Sequence, residues 1–106
     1  MANTYNNVKV DLTTTNLTSL LTVASGSTVI IKSILVSEDT GNTPTLTLTL
    51  VKNSDIFSLF KDKSFSSKQT LELLDKPLVL EAGEILKAQA SAANQLHLIV
   101  SYLEIT

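Results

Sequence analysis

The sequence predicts an all-β protein: an antiparallel two-sheet β-sandwich, jelly-roll-like, built from about eight short strands. Three observations predict it. Thr45 to Leu50 alternate Thr-Leu three times over, and a two-residue period is the mark of a strand with one face buried. Turn signals rich in Gly, Asn, Asp, Ser and Pro recur at short intervals. Between them, threonine, valine, leucine and isoleucine dominate, a composition that favours strands.

Taken in order, Asn7 to Leu12 reads as a first strand, with Val8, Val10 and Leu12 on one face. Residues 1–7 are polar and read as a possible flexible N-terminal arm that orders on binding. Thr13 to Asn16 turn the chain into a strand over Thr18 to Val23. Ala24 to Ser27 form the next turn, in which Gly26 is free to take positive φ. Thr28 to Ser37 is the strongest β-former, with apolar residues at odd and even positions alike. Glu38 to Pro44 is a polar loop, since Pro44 has no amide to donate inside a strand. Thr45 to Lys52 follows, one-sided, with Leu46, Leu48 and Leu50 facing the core and Thr45, Thr47 and Thr49 facing out to solvent.

Asn53 to Asp55 turn the chain into a short strand over Ile56 to Lys61, and Asp62-Lys63 turn it back. Phe65 to Leu74 reads as a strand that Asp75 to Pro77 ends. Leu78 to Leu80, the tight turn Glu81 to Glu84, and Ile85 to Ala90 come next. Leu96 to Ile105 closes the chain with apolar residues on both faces. The chain of 106 residues fits one domain, 1–106, with one core.

Composition excludes several functions. Net charge is −2, and all eight basic residues are lysines spread without a run. That gives no case for nucleic acid, whose readout favours arginine. No cysteine occurs, which removes disulfide and thiolate chemistry. The polar start and the lack of a long apolar run predict neither an export signal nor a membrane span.

The same holds for catalysis. His97 is the only histidine, too few for a histidine-rich metal centre, and it reads as a structural residue at a sheet surface. Glu81 and Glu84 flank a glycine turn and read as its polar cover. Glu38, Asp39 and Asn42 fit no calcium-loop spacing. No nucleophile elbow or phosphate-cradling glycine loop is present. The aromatic share is 5% without tryptophan, so Phe57, Phe60 and Phe65 read as core rather than as a sugar platform. The expectation is a protein that is not an enzyme, with no catalytic, cofactor-binding or metal residues.

The positive signal is an apolar surplus. In a thin sandwich only one face of each sheet meets the core. Thr28 to Ser37 and Leu96 to Ile105 are apolar on both faces, so one face of each needs a partner. Ile30, Ile31, Ile34, Val36, Ile99, Leu103 and Ile105 are the candidate interface residues. The expected partner is a second copy of the chain, most simply in a trimer, or a larger protein surface.

Three stretches carry a family resemblance: Asn3 to Thr15, Ile31 to Ser37, and Leu71 to Lys87 with Leu96-His-Leu98. Together they resemble small virion structural proteins of tailed bacteriophages, of the marine and cyanobacterial phage type, along essentially the whole chain. The resemblance implies no catalytic residues. It implies a capsid decoration (cement) protein, made in the host cytoplasm and carried on the capsid surface, with the major capsid protein or another virion protein as partner. The alternative it leaves is a tail, neck or fibre component acting as adaptor or as receptor- or glycan-binding module.

Overall fold

The computed structural model describes residues 3–106. The described residues form nine strands: β1 (Asn3–Asp11), β2 (Thr18–Thr22), β3 (Thr28–Glu38), β4 (Thr45–Lys52), β5 (Asp55–Ser64), β6 (Thr70–Glu72), β7 (Leu78–Leu80), β8 (Glu84–Ala90) and β9 (Leu96–Ile105). They form two antiparallel sheets. One runs β1-β9-β3-β6, with β7 also on β3, and the other runs β2-β8-β4-β5. β6 pairs with Leu35 to Ser37 of β3, and β7 with Val29 to Ile31. These two short strands lie end to end and share one position. The eight positions, four per sheet, have the order of a jelly roll.

Local chemistry explains the divided position. Glu72 ends β6, and its carboxylate accepts the Ser33 hydroxyl, Ile34 N at 2.8 Å and Leu74 N at 3.2 Å. Leu73 N then donates to Ile34 O at 2.9 Å. A side chain thus replaces ladder bonds where the strand is interrupted. Burial acts to raise the Glu72 pKa, but these hydrogen bonds outweigh it and lower it. Gly26 and Gly83 occupy the third positions of the turns 24–27 and 81–84 at φ 83° and 84°, where a side chain would be strained.

The core lies between the sheets. Leu12, Val29, Ile31, Ile34, Val36, Leu46, Leu48, Phe65, Leu80, Leu86, Leu96, Leu98 and Val100 are all buried there. The alternation of β4 appears as expected: Leu46 and Leu48 are buried, Leu50 half-buried, and Thr45 and Thr47 half-exposed on the outer face. Thr49 departs from it. It is 5% exposed, so the hydroxyl face is not uniformly open to solvent.

Four further differences have physical causes. From Asn3 onward, the expected arm over 1–7 is the first half of β1, paired residue by residue with β9 from Asn3↔Ile105 to Asn7↔Ser101; residues 1–2 lie outside the described residues. The expected turn at Asp62-Lys63 lies inside β5. Register shifts there opposite Leu46 to Thr49, and Asp62 takes φ 51°, so the strand bulges without reversing. The strand expected over Phe65 to Leu74 shrinks to β6, because residues 65–69 form a loop held by Phe65 N to Pro44 O and Gln69 N to Ser66 O. Phe57, expected in the core, is 55% exposed near the β4–β5 turn, while Phe65 is buried.

Candidate functional site

The two-sided apolar strands predict a partner face, and register decides which of their residues lie on an outer surface. Between Ile31 and Ser33 the β3–β9 pairing shifts by one residue, a bulge at Lys32. An extra residue reverses the inside–outside parity of all that follows. Val29 and Ile31 before the bulge, and Ile34 and Val36 after it, therefore all face inward. Ile31, Ile34 and Val36 are 0% exposed, which corrects their assignment to an interface: they are core. The apparent two-sidedness of Thr28 to Ser37 is largely one buried face read across a bulge.

The remaining candidates, Ile30, Ile99, Leu103 and Ile105, share the outer face of the five-stranded sheet. Cross-strand partners side by side in a ladder point to the same face. Tyr5 pairs with Leu103, Leu103 with Ile30, and Ile30 with Val79. One apolar row thus crosses β1, β9, β3 and β7. Its ends are open, Tyr5 at 74% and Val79 at 54% exposure, and Ile30 and Leu103 are half-buried between them. Ile105 lies beside the row, between Asn3 and Thr28. Beyond a polar row of Asn7, Ser101 and Ser33, the pair Ile99 and Leu35 is exposed between Lys9 and Glu72.

Tyr5 and Val79 were missed in the sequence. Tyr5 sits in a polar stretch, and Val79 in a run of three apolar residues. Val79 was findable only by parity with its buried neighbour Leu80.

The polar end of this face is a charged clasp. His97 Nδ1 lies 2.5 Å from Asp11 Oδ1, and His97 Nε2 lies 3.2 Å from Asp39 Oδ1. It links β1, β9 and the loop after β3. The Asp11 hydrogen bond, opposed by partial burial and reinforced by Asp39, raises the His97 pKa above its ordinary 6.5. With both ring nitrogens engaged by carboxylates, the imidazole has no free position for general-base work.

Glu38, expected in a solvated loop, is an inward residue of β3 and 1% exposed. Its carboxylate accepts Thr40 N at 3.2 Å, Gly41 N at 2.9 Å, Lys68 N at 3.0 Å and the Thr40 hydroxyl. Burial pushes its pKa up, but these bonds prevail and bring it to about 2. Glu38 thereby fastens the 39–44 and 65–69 loops together. Glu84 caps its own turn by accepting Glu81 N at 2.6 Å, and Glu81 faces Lys52 at 3.9 Å. The two carboxylates are engaged separately.

Among the described residues, no group of three or more His, Cys, Asp or Glu side chains is arranged to hold a metal ion. What the arrangement offers chemically is surface: one apolar row on one outer face, and hydroxyls on the other. No protein-family model matches the chain, and no curated protein sequence matches it.

Proposed function

We propose that this chain is a non-enzymatic virion structural protein, a capsid decoration protein that assembles as a homo-oligomer, most simply a trimer, and docks on the phage head. The observation that carries the reading is the apolar row Tyr5, Leu103, Ile30 and Val79 on an otherwise water-facing sheet. The largest contiguous apolar patch on a protein surface is often functional. The resemblance of Asn3 to Thr15, Ile31 to Ser37 and Leu71 to Lys87 to tailed-phage virion proteins supports it.

Magnitudes favour many weak contacts over one strong contact. Burying a fully exposed apolar side chain contributes about 1.5–3 kcal/mol, and two of the four are already half-buried. Association costs roughly 4–15 kcal/mol, so a single row holds a partner weakly. An oligomer that engages several capsid subunits at once gains by effective concentration. That is the physical logic of a cement protein.

Sedimentation of the purified chain at micromolar concentration should show a trimer; a monomer there overturns the homo-oligomer. Cryo-electron microscopy of the intact phage particle should find the chain on the head. Density on the tail alone replaces decoration with the adaptor reading. The double variant Tyr5→Ser/Val79→Ser should lose particle retention while its stability stays within about 0.5 kcal/mol per site of the parent. The comparison variant Ile56→Ser/Phe57→Ser alters the exposed pair near the β4–β5 turn and should be retained. The reverse result makes that tip the docking element.

A further inference from the structure

The outer face of the second sheet carries a groove that the apolar row does not explain. It encloses about 320 Å³ and is lined by Thr15, Thr45, Thr47, Asp62, Gln89, Ala90 and Ser91. Its floor is the outward side of β4 and β8, where Thr47 and Gln89 are register partners. One wall is the β1–β2 loop, tied down by Gln89 Nε2 donating to Thr15 O at 3.0 Å. The other is the β5 bulge, where Asp62 N donates to Thr47 Oγ1 at 3.1 Å. At one end, Thr45 N donates to Ser91 Oγ at 2.8 Å and Ser91 N to Thr45 O at 3.0 Å. The groove is therefore braced by hydrogen bonds along both walls and at one end.

The bracing leaves specific groups unused. Asp62 Oδ1 has only a long 3.4 Å contact from the Thr47 hydroxyl, and its second oxygen has no partner among the described residues. Gln89 spends its amide nitrogen on Thr15 but not its oxygen. The Ser91 hydroxyl accepts a bond, yet keeps a hydrogen to donate, and the Thr45 hydroxyl keeps both capacities. Unused acceptors and donors thus both line a space at the lower end of the small-molecule range.

The lining also selects by chemistry. Ala90 borders it only through its backbone, since its side chain is buried in the core opposite Leu46, and no aromatic lines it, so an apolar ligand gains little there. Its single formal charge is Asp62, and no lysine lines it, which disfavours anions. One carboxylate among hydroxyls is too sparse for calcium, which takes 6–8 oxygens, several of them carboxylate. A neutral molecule with several adjacent hydroxyls fits every unused group, with Asp62 accepting from two of them.

We propose that this groove binds a neutral polyhydroxy ligand of single-pyranose size. It lies on the opposite side of the sandwich from the apolar row, so it stays open when that row is covered. The inference stands whether or not the chain is a decoration protein.

Titration of the ¹⁵N-labelled chain with the methyl glycosides of glucose, galactose and mannose, followed by amide NMR, tests it. Saturable shifts are expected from at least one glycoside, centred on Thr45, Thr47, Asp62, Gln89 and Ser91. Asp62→Asn keeps a residue that tolerates φ 51° and should weaken binding about tenfold, the usual effect of losing a charged acceptor. Gln89→Ala, at an exposed position, should weaken it less, with other amide changes confined to the β1–β2 loop that Gln89 ties down at Thr15. Three results each overturn the proposal: no saturable shift with any of the three glycosides, binding that survives unchanged in both variants, or equal binding of the anionic N-acetylneuraminic acid.

Discussion

The outer face of the five-stranded sheet sets Tyr5, Leu103, Ile30 and Val79 in a row across four strands. The outer face of the other sheet sets Thr45, Thr47 and Thr49 along one strand, and turns apolar only where Ile85, Val51 and Ile56 align near the β4–β5 turn. The first pattern is made by register, from residues up to 98 positions apart in sequence, Tyr5 and Leu103. The second is made by the local two-residue period of a strand. An apolar face and a hydroxyl-bearing face thus arise from different levels of organisation, and they differ in how they respond to substitution.

The largest expected effect separates inside from outside on β3. Ile34→Ala should cost about 2–5 kcal/mol in urea unfolding, because Ile34 is a fully buried core residue. Ile30→Ala, half-exposed on the outer row, should cost about 1 kcal/mol or less and act mainly on association. Equal losses at the two positions would deny the bulge at Lys32.

That bulge also explains what the sequence made legible. The fold class, the strands 18–22, 28–38, 45–52, 78–80, 84–90 and 96–105 to within a residue, and the inward leucines of β4 followed from local alternation and turn chemistry. The outer apolar row did not. A bulge reverses parity without any marker in the residues themselves, so Ile34 and Val36 read as sharing the outer face of Ile30 when they are core, and Ile31 reads as outward because the strand looks two-sided. Tyr5 and Val79 become interface candidates only once β1 and β7 have been placed in register. Glu38 looked like a loop residue because a buried carboxylate is rare unless donors converge on it, and its donors come from the loops that it organises.

Two carboxylate-based elements give a pH comparison between the faces, intermediate in size. The Glu38 pKa is held at about 2, below its ordinary 4.5. Its stabilisation is present above pH 4.5 and is lost as pH falls towards 2. Glu38→Gln should lower the melting temperature at neutral pH and flatten that acid limb. The His97 pKa is raised above 6.5, so the clasp with Asp11 and Asp39 is fully present below pH 6.5 and is lost as pH rises through the folded value. Because the clasp is partly solvated, its limb should be the shallower one. His97→Gln should remove the neutral-pH limb and leave the acid limb intact. Melting temperatures across pH 2–8 test both, and an unchanged acid limb in Glu38→Gln would separate Glu38 from the acid response.

The smallest effect divides the hydroxyl face itself. Thr47 and Thr49 lie two residues apart on the same side of β4, yet their hydroxyls differ. Thr47 Oγ1 accepts Asp62 N at 3.1 Å, whereas Thr49 Oγ1 is buried without a partner among the described residues. Valine has the same shape as threonine and suits a strand as well, so each Thr→Val change reports on the hydroxyl alone. Thr47→Val strands an amide and should cost about 1 kcal/mol. Thr49→Val strands nothing and removes an unsatisfied buried oxygen, so it should add roughly 0.5–1 kcal/mol. Opposite signs in urea unfolding are the expected result. A loss at both positions would mean that the Thr49 hydroxyl finds a partner in solution, a bridging water or another chain, and that this face is less open than the apolar one.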